Sequence, residues 1–440
     1  MTQYTITATS ARELVEGIET GIASGGLAAG ERLPSVRRLA SDTGLSPATV
    51  ASAMAELRRR GVVLAEPRRG TRIASAPPLS GTRALMPVPS GARDLSNGNP
   101  DPAVLPKLTR ALRRAATVTD LYGGPPTLPE LAELAREAFH ADGIEADSVC
   151  VVSGALDGIE RVLQAHLRPG DAVAVENPGY AALFDLLRAH ALVLDPVAVD
   201  ERGMLPSELA RALARGVRAV AVTPRGQNPT GAAFDRERAQ ALRAVLARAP
   251  QVLVIEDDHL GAVERAELHT MAGGREHWAA TRSVAKGFGP DLRLALLAAD
   301  GLTLARVQGR QQCGPGWVSH ILQRVVLDLW QDHEVAARLE RARETYARRR
   351  EHLVAALGRR GIAASGRSGL NVWVPVADEA ATVGALLALG WVVAPGGAYR
   401  LPGSAPAIRV TSAALREREA ERFAADFGQI AVQGATRRTA

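Results

Sequence analysis

Residues 283–293 read Ser283-Val284-Ala285-Lys286-Gly287-Phe288-Gly289-Pro290-Asp291-Leu292-Arg293, a lysine set among small residues between a serine and an arginine. That lysine is conspicuous. The 440-residue chain carries 53 basic residues, and only Lys107 and Lys286 are lysine. A sequence that meets almost every demand for positive charge with arginine keeps lysine where arginine will not serve. Only lysine offers a primary amine that can lose its proton and attack a carbonyl. Lys107, at the start of a charged helix, reads as ordinary surface.

Working outward, four apolar runs read as strands, and each ends in polar residues. VCVV (149–152) runs into Ser153-Gly154-Ala155, and AVAVE (172–176) into Asn177-Pro178-Gly179-Tyr180. AVAVTP (219–224) leads to Arg225-Gly226-Gln227-Asn228-Pro229-Thr230-Gly231, and VLVIE (252–256) to Asp257-Asp258-His259. Strands alternating with amphipathic helices predict an α/β domain on a mostly parallel sheet. In such a sheet the ligand crevice lies beyond the carboxyl ends of the strands, where these polar groups converge.

Together they meet the needs of an aldehyde cofactor bearing a phosphate. Lys286 supplies the amine. Backbone N–H groups where Ser153-Gly154-Ala155 opens a helix, with Ser283 and Arg293, supply donors for a phosphate dianion. A pyridine ring acts as an electron sink only while its nitrogen stays protonated, which calls for a carboxylate, Asp257. Asn228 can donate to a phenolic oxygen, and Tyr180 offers an aromatic face. Asp258 reads as solvated or as a supporting group, and Cys150 as packed within its strand.

The front of the chain differs in composition. Leu14, Ile18 and Ile22 form one apolar stripe of a first helix. A second helix begins near Pro34, a turn forms at Gly44, and a third helix opens at Ser46 as N-cap with Pro47 first. Ala40, Gly44 and Val50 fall where a helix-turn-helix needs a small residue, a turn glycine and a buried β-branched residue. GVVLAEPRRGTRIA (61–74) reads as a two-stranded wing. Residues 31–72 hold nine arginines against four acids, a local excess that suits a DNA duplex. Ser46, Ala48, Thr49 and Ser52 form a small polar face for a major groove, Arg37 adds a cation, and Arg68 and Arg69 reach phosphates or a minor groove from the wing tip. Domains are expected at 1–75 (winged helix-turn-helix), 76–93 (a Pro-, Ser- and Gly-rich linker) and 94–440, the last with a large part to about 330 and a small part from about 331. A long helix over residues 333–360 is expected to present a solvated charged face.

Two resemblances follow. GERLPSVRRLASDTGLSPATV with ELRRRGVV and RRGT resembles the winged helix-turn-helix of GntR-type bacterial regulators, although Pro47 stands where family members often carry arginine. Residues from about 94 to 430 resemble the fold-type I aminotransferases that use pyridoxal 5′-phosphate (PLP), on Asn228-Pro229-Thr230-Gly231, Ser283-x-x-Lys286 and Arg293. That resemblance implies a mostly parallel sheet with a small C-terminal α+β subdomain, an aldimine between Lys286 and PLP, and Asp257 on the pyridinium nitrogen. It also implies that Ser153, Gly154, Ala155, Ser283 and Arg293 hold the phosphate and that Asn228 and Tyr180 address the ring. Arg409 matches an arginine that takes a substrate carboxylate, and Tyr122 matches a tyrosine that reaches the neighbouring subunit's phosphate, hence a homodimer. His259 stands where relatives usually place tyrosine as donor to the ring oxygen, and its ordinary pKa of about 6.5 predicts a pH-sensitive cofactor.

The fusion resembles the MocR subfamily of GntR regulators, which implies a PLP-dependent transcriptional regulator. Its effector is PLP itself, or an amine or amino acid that displaces Lys286. An active aminotransferase with an accessory DNA-binding domain is the alternative. No apolar run approaches the roughly 18 residues that span a bilayer, no basic start precedes an apolar stretch, and two cysteines exclude a disulfide scaffold and a four-cysteine zinc site. A cytoplasmic protein associated with the nucleoid through DNA is expected, with no membrane partner and no metal.

Overall fold

The computed structural model describes residues 6–24, 26–28, 30–59, 62–66, 70–74 and 88–436. These form two compact bodies.

In the first, helix Ala11–Ala23 is capped by Ser10, whose hydroxyl accepts the Glu13 N–H at 3.2 Å. Helix Val36–Thr43 starts behind Ser35 rather than at Pro34, because the Ser35 hydroxyl accepts the Arg38 N–H, and it ends at Gly44 in the left-handed region (φ +74°). Helix Pro47–Arg59 opens as expected, with the Ser46 hydroxyl accepting the Thr49 N–H at 3.1 Å, a cap that stabilises by about 1 kcal/mol. Leu14, Ile18, Leu39, Val50 and Leu57 bury one shared core with Val63 and Ile73. The last two sit opposite each other in an antiparallel ladder of Val63–Glu66 with Gly70–Ile73. Residues 30–33 lie along the outer strand of this wing, with Leu33 N–H on Thr71 O and Ile73 N–H on Glu31 O.

The second body is built on an eight-stranded sheet in the order Val149–Val152, Ala295–Ala299, Trp278–Ser283, Leu253–Asp258, Ala219–Val222, Ala172–Asn177, Val193–Asp200 and Gly203–Met204. The four runs read as strands are strands. Three of them pair in parallel, and Trp278–Ser283 continues that direction. Ala295–Ala299 runs antiparallel between Trp278–Ser283 and Val149–Val152. Strands Val149–Val152, Ala219–Val222 and Ala295–Ala299 are apolar and buried on both faces, as a sheet covered by helices requires. The carboxyl ends of the strands that run parallel therefore share one edge, and each leads into a helix or loop there, whereas antiparallel Ala295–Ala299 ends at the opposite edge.

A four-stranded sheet follows, in the order Asn371–Pro375, Ala407–Thr411, Trp391–Pro395 and Arg93–Leu95. Its core joins Trp391, Val372, Ile408 and Val410 to Leu353 and Leu357 of helix His333–Gly358 and to Phe423 of helix Glu417–Thr436. Arg93–Leu95 falls at the expected boundary between linker and large part, yet it pairs in parallel with Trp391–Val393. Strand pairing, not chain proximity, assigns it to the small sheet. Helix His333–Gly358 is less solvated than its charge suggests. It buries a stripe through Leu339, Tyr346 and Leu353, and Arg350 is buried by donating to Gly366 O and Gly369 O at 2.9 and 2.8 Å.

Candidate functional site

Lys286 stands on the short helix Ala285–Phe288, one turn beyond strand Trp278–Ser283. Its Nζ donates to Gly98 O at 2.7 Å. Burial, with Arg409 nearby, lowers the amine to about 8. Arg409 lies on Ala407–Thr411 and is buried. It donates through Nη1 to Asn228 Oδ1 at 3.1 Å and through Nη2 to Ser96 O, and its guanidinium lies 4.7 Å from the Tyr399 ring centroid. Lys286, Arg409 and Asn228 thus meet at one place, from distant parts of the chain.

Asp257 and Asp258 end strand Leu253–Asp258 instead of following it, so the pleat sends them to opposite faces. Asp257 lines a small pocket with Glu176, Tyr180, Thr223, Phe184 and Ile255. Its hydrogen bond is from Thr281 Oγ1 at 3.2 Å, and burial, then the charge of Asp258, raises it to about 7. Such a carboxyl gains most from a cationic N–H. Glu176 was not singled out by the sequence reading. It accepts the Thr223 N–H at 3.1 Å and is raised by burial to about 8, and its place at the end of the apolar run AVAVE was the available signal.

Asp258 is buried, not solvated. Arg225 donates to it through Nε at 3.0 Å and Nη2 at 2.8 Å, and Arg282 through Nε at 2.8 Å. Burial pushes its pKa up, but the two guanidiniums pull it further down, well below the ordinary carboxylate range. The cluster ties together the strand ends that lead to Asn228, Asp257 and Ser283. It supports the site without facing the pocket.

Gly154 closes the turn between Val149–Val152 and helix Ala155–His166 with φ +99°, and a Cβ there would stand 3.2 Å from Arg293 Nη2. The bare glycine and the Arg293 fork therefore share one small space, a candidate anion cradle. The Ser153 N–H is taken by Asp157 Oδ2 at 2.9 Å and the Gly154 N–H by Val152 O, so Arg293 and the Ser153 and Ser283 hydroxyls carry the capacity, beside Ala155 at the helix start. Ser283 Oγ already accepts the Ala285 N–H at 3.2 Å and keeps its own proton to donate.

His259 follows Asp258, and burial, with Lys286 and Arg409 close by, lowers it to about 4. At that value the imidazole is neutral across the physiological range. Tyr122 is 91% exposed and meets Trp317 edge-on at 5.5 Å.

On the front module Arg37, Ser46, Ala48 and Ser52 are exposed, while Thr49 is half-buried and bonds Ser46 Oγ at 2.8 Å through its hydroxyl. Arg68 and Arg69 lie outside the described residues.

Residues 10–73 match the family "Bacterial regulatory proteins, gntR family", and residues 91–427 match "Aminotransferase class I and II". The vitamin B6 salvage pathway transcriptional repressor PtsJ of Salmonella typhimurium is 40% identical over 425 residues, covering 96% of this chain and 98% of its own. The chain is a MocR-type member of the GntR regulators. The pyridoxine biosynthesis regulator PdxR of Corynebacterium glutamicum is 31% identical to this regulator over 262 residues, about half of each chain (56% and 55%). Among solved structures, the α-aminoadipate aminotransferase LysN of Thermus thermophilus superposes with a TM-score of 0.70 at 21% identity, over 78% of the regulator and 93% of LysN, and establishes the fold. The cofactor of that class is PLP, and three features of the regulator fit it: the half-buried, lowered amine of Lys286, the buried Asp257 carboxyl and the close approach of Gly154 and Arg293. No helix among the described residues is long and apolar enough to cross a membrane.

Proposed function

We propose that this regulator senses PLP, or an amine or amino acid that displaces Lys286 from it, and adjusts its hold on an operator accordingly. One observation carries the reading: a DNA-binding head is joined to a body in which half-buried Lys286 is lowered to about 8 beside Arg409. When bound, PLP supplies an electrophilic carbonyl and a ring that accepts electrons. Lys286 offers an amine that is neutral often enough to attach, and Asp257 holds a proton on the ring nitrogen. Arg293, Ser153, Ser283 and the Gly154-Ala155 turn hold the phosphate; Tyr180, Asn228 and neutral His259 orient the ring; Arg409 takes a carboxylate by its fork.

The regulator acts as a homodimer in this reading. Leu121 and Tyr122, 79% and 91% exposed, place an apolar surface and a phenol where a second copy can receive them. Arg37, Ser46, Ala48, Thr49 and Ser52, with the wing arginines, contact duplex DNA, so the site of action is the bacterial cytoplasm. Footprinting of the intergenic DNA upstream of its gene, with and without PLP, tests the reading. Lys286→Ala should lose the visible cofactor band and the PLP effect on the footprint. A variant that still responds fully to PLP sinks sensing through that amine.

The joint presence of Lys286, Asp257 and Arg409 favours a second reading, amino-group transfer. Sustained turnover of an amino acid with a keto-acid acceptor would support it, and a single exchange that then stops would reject it.

A further inference from the structure

Lys286 and Arg409 share an unexpected partner. Lys286 Nζ donates to Gly98 O at 2.7 Å, and Arg409 Nη2 donates to Ser96 O. Both cations of the site thus hold carbonyls of one three-residue segment. A Cβ on Gly98 would stand 3.4 Å from Arg409 Nη2, so the segment lies directly against the guanidinium.

That segment is joined to the small sheet. It continues strand Arg93–Leu95, whose Arg93 N–H donates to Gly390 O at 2.8 Å. The Asp94 carboxylate folds the segment back on the strand: Oδ1 accepts the Ser96 N–H at 2.8 Å and the Ser96 hydroxyl at 2.7 Å, and Oδ2 accepts Asn97 Nδ2 at 2.9 Å. On its far side the Gly98 N–H donates to Thr411 Oγ1 at 3.0 Å, two residues from Arg409. In sequence, the strand lies just after the stretch that leads from the DNA-binding module.

Resting on the PLP-sensing reading above, we infer that residues 94–98 are the relay through which occupancy of the Lys286–Arg409 site reaches the connection to the DNA-binding module. Attachment of PLP at Lys286 withdraws the donor from Gly98 O. A carboxylate on Arg409 competes with Ser96 O for the same guanidinium. Either event leaves a carbonyl of the segment without its cation, and a carbonyl in that state seeks new partners by moving. Asp94 converts the movement into a pull on strand Arg93–Leu95, and so on the chain entering it. The ligand needs no contact of its own with the connection, because the differential hydrogen bonds supply the coupling.

Amide hydrogen exchange on the full-length protein tests this, apo and loaded with PLP, followed by mass spectrometry of the peptide spanning residues 93–99. Loading should speed exchange of the Gly98 amide by about tenfold, as the shifting segment leaves Thr411 Oγ1, while the Ser96 amide stays protected on Asp94. Lys286→Ala without PLP should show the same fast exchange. Asp94→Ala should bind PLP with the wild-type band and an affinity within about twofold, yet lose the shift in DNA affinity that PLP produces in the wild type, expected at about fivefold or more. Unchanged or slower exchange on loading overturns the relay, and so does an Asp94→Ala protein that keeps the full PLP effect on DNA. Absence of the PLP band in the wild type is a different failure: it removes the sensing reading itself, and the relay with it.

Discussion

The Arg225 guanidinium grips the Asp258 carboxylate side-on through Nε and Nη2 with two hydrogen bonds, 3.0 and 2.8 Å, and both groups are buried. Arg282 completes the grip at 2.8 Å, and Asp142 meets both arginines from the other side, so two carboxylates balance two arginines largely away from water. Removing one member of such a cluster leaves uncompensated buried charge, which costs about 3–5 kcal/mol. Asp258→Ala should therefore lower the urea midpoint sharply, with loss of PLP binding as a consequence of disordered strand ends. A shift of less than about 1 kcal/mol would show that the pair is solvated.

The lowered pKa of Lys286 sets a pH profile for PLP attachment. The attacking species is the neutral amine, and below about 8 its fraction falls about tenfold per pH unit. The attachment rate, followed by the visible cofactor band, should rise from pH 6 to 8 and level off above it. Borohydride trapping and peptide mapping should place the label on Lys286. A rate still climbing steeply between pH 9 and 10 would mean an amine of ordinary basicity.

His259, lowered to about 4, is neutral in the folded protein at pH values where the unfolded chain protonates it. Unfolding therefore takes up a proton between the unfolded value of about 6.5 and the folded value, and stability falls as the pH drops through that window. His259→Gln should lose less stability than the wild type from pH 6.5 to 4.5, read as urea midpoints. In the loaded protein the same substitution should shift the midpoint of the cofactor's absorbance titration without removing an inflection near pH 6.5, since a neutral imidazole contributes none.

Gly154→Ala combines a strained φ of +99° with a methyl group 3.2 Å from Arg293 Nη2. A left-handed alanine costs about 1–2 kcal/mol, and the displaced guanidinium adds to that. PLP affinity should fall by about tenfold or more while the fold persists, as monitored by circular dichroism alongside a PLP titration.

On the DNA-binding module, exposed Arg37 should behave as a phosphate contact. Arg37→Ala should weaken binding across sequences alike and reduce the slope of log affinity against log salt by about 0.9. A loss confined to one base position would recast it as a reader of sequence.

Much of this was legible in the sequence for identifiable reasons. Lys286 stood out because the chain otherwise uses arginine, and Asp257 because an apolar run ended in it. Ser46, Pro47 and Gly44 announced the helix ends by local chemistry alone. What escaped depended on proximity in space. Gly98 and Lys286 are 188 residues apart, and the contact is through a backbone carbonyl, which no side chain advertises. The run ALLAA at 295–299 is apolar whichever way it points, so its antiparallel direction was not readable. Arg93-Asp94-Leu95 is too short and polar to signal a strand. The perturbed imidazole of His259 arises from neighbours that only folding brings near.

The pairing of Arg93–Leu95 with Trp391–Val393 also governs how the molecule can be dissected. A fragment begun at residue 96 would discard the outermost strand and bare the hydrogen-bonding groups along 391–393, inviting self-association through that raw margin. Anyone isolating the PLP-binding half has to cut ahead of Arg93, in the stretch that leads from the DNA-binding half.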